Sequence, residues 1–327
     1  MVELSVVIPI HNEAPALPEL HRELVDTLRA SGRSYEIIIV DDGSTDGSFE
    51  ILSRLQAVDP DLRVIRLRRN FGQTAAFAAG FDHALGRIIV TSDGDLQNDP
   101  RDIPGLVDAL ETSEQGVDIV CGWRKDRKDA FFSRRLPSIL ANRVISAATG
   151  VRLHDYGCSL KAFRADVVKS LKLYGEMHRF LPAIASEQGV AIRELAVSHR
   201  PRRYGRSNYG IGRTIRVILD LLTVKFLLSY STRPLQIFGL IGLPMGLLGF
   251  IISAWLALQR LTGADVSLNR PLLFLGIVLI ITGVQLVTLG LLAELQARTY
   301  HESQNKPTYA IREILQSVPV ERARAGR

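Results

Sequence analysis

Short apolar runs alternate with longer stretches of helical spacing through the first part of the chain. Leu4 to Ile10, Glu36 to Asp41, Val64 to Leu67, Arg87 to Thr91 and Asp118 to Gly122 are rich in β-favouring residues and bounded by turn residues, as buried strands are. Between them, Leu17 to Arg29 and Thr74 to Leu85 repeat apolar positions at helical spacing, and Ser44 or Asp46 offers an N-cap for a helix through Leu55. Strand and helix in alternation predict an α/β fold with a Rossmann-like, mostly parallel sheet. In open sheets of this kind the ligand crevice lies beyond the carboxyl ends of the strands. Pro9-Ile-His-Asn-Glu13, Asp41-Asp42-Gly-Ser44 and Asp93-Gly-Asp95 all fall there.

Towards the C-terminus the pattern changes. Leu235 to Leu258 and Leu272 to Leu292 are nearly uncharged. At a helical rise of ~1.5 Å per residue each run reaches about 30 Å, enough to cross a bilayer's hydrocarbon core. The short turn between them, Gln259 to Arg270, makes a hairpin with both flanks on one side. Arg213, Arg216, Lys225 and Arg233 precede it and Arg298, Lys306 and Arg312 follow it, whereas the turn holds Arg260 and Arg270 against Asp265. The positive-inside rule then predicts a multi-pass protein of the cytoplasmic (inner) membrane, with its N-terminal region and its tail in the cytosol.

The first apolar run ends at Pro9, too early for a signal peptide. Arg124 to Thr149 and Ile211 to Tyr230 are amphipathic, and the second, just before the first span, reads as interfacial. Gly242-Leu-Pro-Met-Gly246 forms a small-xxx-small face and Gln285 is polar at membrane depth, both suited to packing within the hairpin or between subunits. The expected organisation is a catalytic domain over 1–209, a juxtamembrane helix over 210–233, the hairpin over 234–293 and a tail over 294–327.

The 327 residues carry a formal net charge of +6, which suits an anionic lipid surface and phosphorylated substrates. The basic residues cluster beside the apolar spans without aromatic interleaving, so nucleic acid is not an expected partner. Cys121 and Cys158 form no CxxC pair and read as reduced thiols rather than zinc ligands.

The densest chemistry is at Ile88-Ile-Val-Thr-Ser-Asp-Gly-Asp-Leu-Gln97. Residues i and i+2 of an extended chain point the same way, so Asp93 and Asp95 can face one hard cation, Mg2+ or Mn2+, carrying phosphate oxygens. A strand-to-helix turn uses the same residue types. Convergence of three acid-bearing strand ends on one crevice argues for more than a turn. With neither a P-loop nor a Gly-x-Gly-x-x-Gly after the first strand, a diphosphate bound there needs a cation and arginines.

Val7-Ile-Pro-Ile-His-Asn-Glu13, Val40-Asp-Asp-Gly-Ser-Thr-Asp46, Asn70-Phe-Gly-Gln73, Asp93-Gly-Asp-Leu-Gln97, Asp155-Tyr-Gly-Cys158, Arg202-Arg-Tyr-Gly-Arg-Ser207 and the closing hairpin follow in this order. Together they resemble the glycosyltransferase family 2 enzymes of GT-A fold, in particular the membrane-anchored polyprenyl-phosphate glycosyltransferases. The resemblance implies a nucleotide-sugar donor, UDP- or GDP-linked, a polyprenyl phosphate acceptor, Mg2+ or Mn2+, and inversion at the anomeric carbon. It implies that Pro9, His11, Glu13, Val40 and Asp42 line the base and ribose, with Asp93 also on the donor. Asp93, Asp95 and Gln97 would hold the metal. Arg124, with Arg134 or Arg135, and Arg202 or Arg203 with Ser207 would gather phosphate oxygens.

Asp155 stands where the family keeps an acid near the reacting centre, so Asp95, Asp155 and Arg124 are the expected catalytic group. Lys161 stands where relatives often carry arginine, and Asn208 where lysine is often seen. A homo-oligomer, a tetramer among the arrangements, is a further expectation from relatives. A family 2 enzyme acting on a polysaccharide or glycolipid hydroxyl, or a catalytically silent scaffold, are the rival readings. The Gln-x-x-Arg-Trp motif of processive synthases is missing from the sequence.

Overall fold

Seven consecutive buried residues open the structure, a computed structural model, and fix the centre of its sheet. It describes residues 2–112, 116–125, 142, 145–146, 149–171, 173, 177–186, 188–201, 203, 234–262, 270–303 and 308–316. The chain divides into two compact units, Met1–Val224 with Pro307–Arg327, and Lys225–Lys306.

In the first unit, strand β1 (Leu4–Ile10) is buried on both faces, which is why its sequence is apolar but for Ser5 rather than alternating. It pairs in parallel with β2 (Tyr35–Asp41) and β4 (Ile88–Thr91), and β2 pairs in parallel with β3 (Leu62–Leu67). Helices α1 (Leu17–Ala30), α2 (Ser48–Val58) and α3 (Gln73–His83) make the crossovers. The buried residues of α1, Leu17, Leu20, Leu24, Val25 and Leu28, form the apolar stripe its spacing predicts. Helix α2 begins later than the sequence suggests. Asp46, rather than Ser44, receives the Ser48 N–H at 3.1 Å, while the Ser44 hydroxyl accepts from the Asn12 N–H.

After α4 (Ile103–Glu111) and β5 (Ile119–Trp123) come β6 (Lys161–Arg164), α5 (Ala165–Ser170), α6 (Leu181–Ser186) and β7 (Ile192–Ala196). Among the described residues the sheet is eight-stranded, in the order β7-β5-β6-β4-β1-β2-β3-β8. It is mixed, because β6 runs antiparallel to both β4 and β5. Antiparallel β6 brings the loop before it, residues 151–160, to the same sheet end as the carboxyl ends of β4 and β5.

The last strand, β8 (Ile311–Leu315), corrects the expectation of a plain tail. It adds antiparallel to β3 and so covers an edge that would otherwise be open. Arg66 pairs with Glu313 at 3.3 Å, and the Tyr309 hydroxyl donates to Asp82 on α3 at 2.7 Å.

The second unit holds α7 (Pro234–Leu261) and α8 (Arg270–Ser303), whose segments Phe238–Leu261 and Pro271–Leu292 are long and apolar enough to cross a membrane. Most of that apolar surface is exposed, Leu240 at 79% and Phe274 at 70% among them, as on helices made for lipid rather than for a protein core. Glycines form the seam between them. A Cβ on Gly242 would stand 2.8 Å from the Gly283 carbonyl oxygen, and one on Gly249 2.5 Å from that of Gly276. The small-xxx-small face is therefore used within the hairpin, whereas Gln285 lies on its exposed side. The segment expected as a juxtamembrane helix, 210–233, lies outside the described residues.

Candidate functional site

Loops meet beyond β1, β2, β3 and β4, and the Asp42 carboxylate ties the loop after β2 to the one after β3. Its oxygens accept from the Phe71 and Gly72 N–H groups at 2.7 and 2.8 Å, fixing the entry to α3. The Asp42 carbonyl accepts from His11 Nδ1 at 2.9 Å. Gly43 has φ of +70°, and a Cβ there would stand 2.5 Å from the Arg69 carbonyl carbon, so only glycine fits this crossing of two backbones. Asn12, itself at φ 58°, accepts from the Thr45 N–H at 2.8 Å. Burial pushes the Asp42 carboxyl above the usual carboxylate range, against the pull of its two N–H donors.

His11 and half-buried Glu13 stand at the rim of this clamp. Pro9 and Val40 are partners in register on β1 and β2. Val40 is completely buried, so it belongs to the floor of the crevice and offers no side-chain surface to a ligand, contrary to the expectation that it lines the nucleotide.

The acidic lip follows β4. The Thr91 hydroxyl donates to the Ser159 carbonyl at 2.6 Å, joining β4 to the loop before β6. A Cβ on Gly94 would lie 2.6 Å from Ile10 Cγ2, so the lip packs directly on the end of β1. Leu96 takes φ of 61°, a left-handed conformation unfavourable for a branched side chain, and its side chain is buried. The turn is thus held against its local preference by packing. Asp93 accepts from the Gln73 amide at 2.7 Å, and buried Asp95 accepts from the Gln97 N–H at 3.1 Å.

Burial and the negative charge of Asp95 push the Asp93 carboxyl up, while Ser159, Lys161 and Arg124 pull it back. Two hard carboxylates held in one another's field form a donor set that a divalent cation satisfies. Among the described residues no group of three or more His, Cys, Asp or Glu gathers. Such a pair suits a cation that completes its shell with phosphate oxygens and water, as Mg2+ commonly does.

Beside the lip, Arg124 and Asp155 form a two-pronged ion pair, Nε to Oδ2 at 2.7 Å and Nη2 to Oδ1 at 2.9 Å. Asp155 is almost fully buried and also accepts from the Gly157 N–H at 3.1 Å. Burial opposes the Arg124 charge, but the hydrogen bonds and charge of Asp155 outweigh it and raise the guanidinium's pKa. Arg124 was expected on substrate phosphate. The structure commits two of its nitrogens to Asp155, and its field reaches Asp93.

Lys161 is only 2% exposed, and its ammonium donates to the Cys158 carbonyl. It is a buried counter-charge to Asp93 rather than a surface contact for lipid phosphate. Cys121 and Cys158 are buried free thiols, pushed up by burial to about 12 and about 11, so neither is poised as a nucleophile.

Arg203 reaches Glu19 on α1 at 2.5 Å rather than joining the acids. The Arg200 N–H donates to the Gln97 carbonyl at 2.9 Å, and its guanidinium pairs with Asp99 and Glu23. Arg134, Arg135, Arg202 and Ser207 lie outside the described residues. Gln73 and Lys161 are members of the site whose contacts to the acids the sequence did not foresee, although Gln73 ends Asn70-Phe-Gly-Gln73 and Lys161 stands where relatives often carry arginine.

The sequence profile described as Glycosyl transferase family 2 matches residues 5–172. The chain is 47% identical over 321 residues to dodecaprenyl-phosphate galacturonate synthase of Rhizobium johnstonii, covering 96% of this chain and 93% of the relative. It is 38% identical over 317 residues to undecaprenyl-phosphate 4-deoxy-4-formamido-L-arabinose transferase of Edwardsiella ictaluri, covering 96% and 94%. Among solved structures, glucosyl-3-phosphoglycerate synthase of Mycobacterium tuberculosis, in complex with Mn2+, uridine diphosphate and phosphoglyceric acid, superposes with a TM-score of 0.53. It is 20% identical, with 71% of this chain and 81% of that chain covered. At that identity the likeness shows a shared GT-A fold.

Proposed function

The chain belongs to glycosyltransferase family 2, and on that premise we propose that it transfers a sugar from a UDP- or GDP-linked donor to a polyprenyl phosphate at the cytosolic face of the membrane. The observation that carries the reading is the placement of Asp93 and buried Asp95 two residues apart on the lip after β4, where burial first and then the Asp95 charge raise the Asp93 carboxyl. Bound between them, Mg2+ or Mn2+ would neutralise the diphosphate and the charge that builds on it as the sugar leaves. Gln97 completes this group through its side chain.

The donor's base and ribose would rest on His11, Glu13 and Asp42, over the floor made by Pro9 and Val40. A phosphate monoester, with a second pKa of about 6, is anionic near neutral pH and attacks the anomeric carbon without a strong general base. Attack opposite the leaving diphosphate inverts that carbon. The roles left for Asp155 and Arg124 are positioning and charge balance, Arg124 lying within the field of Asp93. Arg134, Arg135, Arg202 and Ser207 are the proposed gatherers of acceptor phosphate, Arg203 being drawn to Glu19.

The apolar helices α7 and α8 support membrane attachment. The chain leaves the catalytic unit before the hairpin and returns to it as β8. This return supports the reading that both ends of the hairpin lie on one side of the bilayer.

The test is purified full-length protein in detergent with polyprenyl phosphate, Mn2+ and a panel of UDP- and GDP-sugars, including the galacturonate and 4-formamido-arabinose donors that the relatives' names suggest. A lipid-linked sugar is expected, and Asp95→Ala should abolish it while the protein still folds. Absence of product with every donor would favour a silent scaffold, and transfer only to a hydroxyl acceptor the polysaccharide or glycolipid reading.

A further inference from the structure

Two segments run side by side at the Arg124–Asp155 pair and are matched twice. The ring of His154 stacks on Trp123 with centroids 4.4 Å apart and planes 20° from parallel. One residue further along each segment, Arg124 grips Asp155. The Trp123–Arg124 segment is anchored in the sheet by β5, but the loop carrying His154 and Asp155 belongs to no strand. Neither the stack nor the ion pair fixes that loop's backbone, since an arginine side chain is long and rotamer-rich.

A third group does. Glu194 stands on β7, opposite Cys121 of β5, with its side chain 13% exposed. One of its oxygens accepts from the His154 N–H at 2.8 Å and the Asp155 N–H at 3.3 Å. The other lies 2.7 Å from His154 Nδ1, which aims the ring onto Trp123.

We infer that Glu194 is a positioning residue for the transfer reaction: from the sheet edge it holds the backbone of His154 and Asp155, and so sets where the Asp155–Arg124 pair stands beside the metal lip. The inference rests on the reading of this site as that of a sugar transferase. Because Glu194 acts through Asp155, it contributes to the chemical step rather than to donor binding. An amide at this position still presents an oxygen to both N–H groups, whereas a methyl group presents nothing.

The experiment compares wild type, Glu194→Gln and Glu194→Ala as full-length protein in detergent. It measures kcat and KM for the donor the wild type uses, and hydrogen exchange by peptide. Glu194→Ala should lower kcat roughly 10- to 100-fold, the scale of a misplaced reacting group, with donor KM held within about threefold. Glu194→Gln should restore most of the lost rate. Exchange should rise in Glu194→Ala over residues 150–160 and stay unchanged in β1, β2 and β4.

Wild-type kcat in Glu194→Ala would overturn the inference. So would equal loss in both variants with exchange raised throughout the catalytic unit, the mark of a general brace. If the wild type transfers no sugar from any donor, the transferase reading falls. The exchange at 150–160 then still decides whether Glu194 holds this loop.

Discussion

The side-chain amide of Gln73 donates to an Asp93 carboxylate oxygen across 2.7 Å, and this bond ties the first residue of α3 to the acidic lip after β4. The N–H groups of Phe71 and Gly72, just before Gln73, are held by Asp42. The proposed nucleotide-binding clamp and the proposed cation site are therefore two ends of one short loop.

Gln73→Ala should remove one of the neutral donors to Asp93 and loosen the lip. Turnover is expected to fall by about 10- to 100-fold, with more Mn2+ needed for half-maximal rate, the usual effect of losing a group that orients a metal ligand. Gln73→Glu should be worse, because it adds a third negative charge to a pair that already repels. A Mn2+ titration of the initial rate in the three proteins checks both expectations, and unchanged titrations would remove Gln73 from the site.

Asp99 makes the pH dependence of stability predictable. Burial works against its charge, but hydrogen bonds from Arg101 and Arg200 and the Arg200 charge hold its carboxyl at about 2, below the ordinary 3.8. A carboxyl depressed on folding adds stability above its unfolded pKa, and that stability is lost as pH falls through the folded value. The window is therefore from about pH 4 down to about pH 2. With Arg101 largely exposed and its contribution screened, about 1 kcal/mol is expected at neutral pH. Asp99→Asn should lower the neutral-pH denaturation midpoint and flatten the acid limb between those values, measured by chemical denaturation across pH.

The glycine seam of the hairpin should tolerate no side chain at its tightest points. A Cβ on Gly283 would lie 2.6 Å from the Gly242 carbonyl oxygen. Gly283→Val should separate α7 from α8 at a cost of about 1–3 kcal/mol, the usual range for overpacking. Faster proteolysis or lower thermal resistance in detergent would register it. Gly239→Ala, where a Cβ meets nothing within 4 Å, is the control.

Five strands and the apolar hairpin were legible in the sequence because each rests on an unbroken local pattern: Val and Ile runs in β1, β2 and β4, and long uncharged stretches in α7 and α8. Strands β6, Lys161–Arg164, and β7, Ile192–Ala196, were not. The first is short with a cation at each end, and the second is a half-exposed edge carrying Arg193 and Glu194. β8 alternates as a strand should, but its partner β3 lies about 250 residues earlier, a pairing no local pattern announces.

The acids of the lip were singled out from spacing, on the premise that i and i+2 of an extended chain share a face, whereas in the structure Asp93 and Asp95 follow β4 in a turn. The commitment of Arg124 to Asp155 was not legible, because it depends on β6 running antiparallel and bringing the 151–160 loop back beside β5. Lys161 likewise reads as a surface cation in one dimension and proves buried in three.

The central claim is that the Asp93–Asp95 lip holds one divalent cation that the donor's diphosphate completes. Mn2+ binding followed by electron paramagnetic resonance, with and without UDP or GDP, tests it most directly in the wild type and in Asp93→Asn/Asp95→Asn. One bound Mn2+ per chain, tightened by the nucleoside diphosphate and lost in the double variant, is the predicted result. Equal Mn2+ binding in both proteins, or no binding in the wild type with either nucleotide, would contradict it.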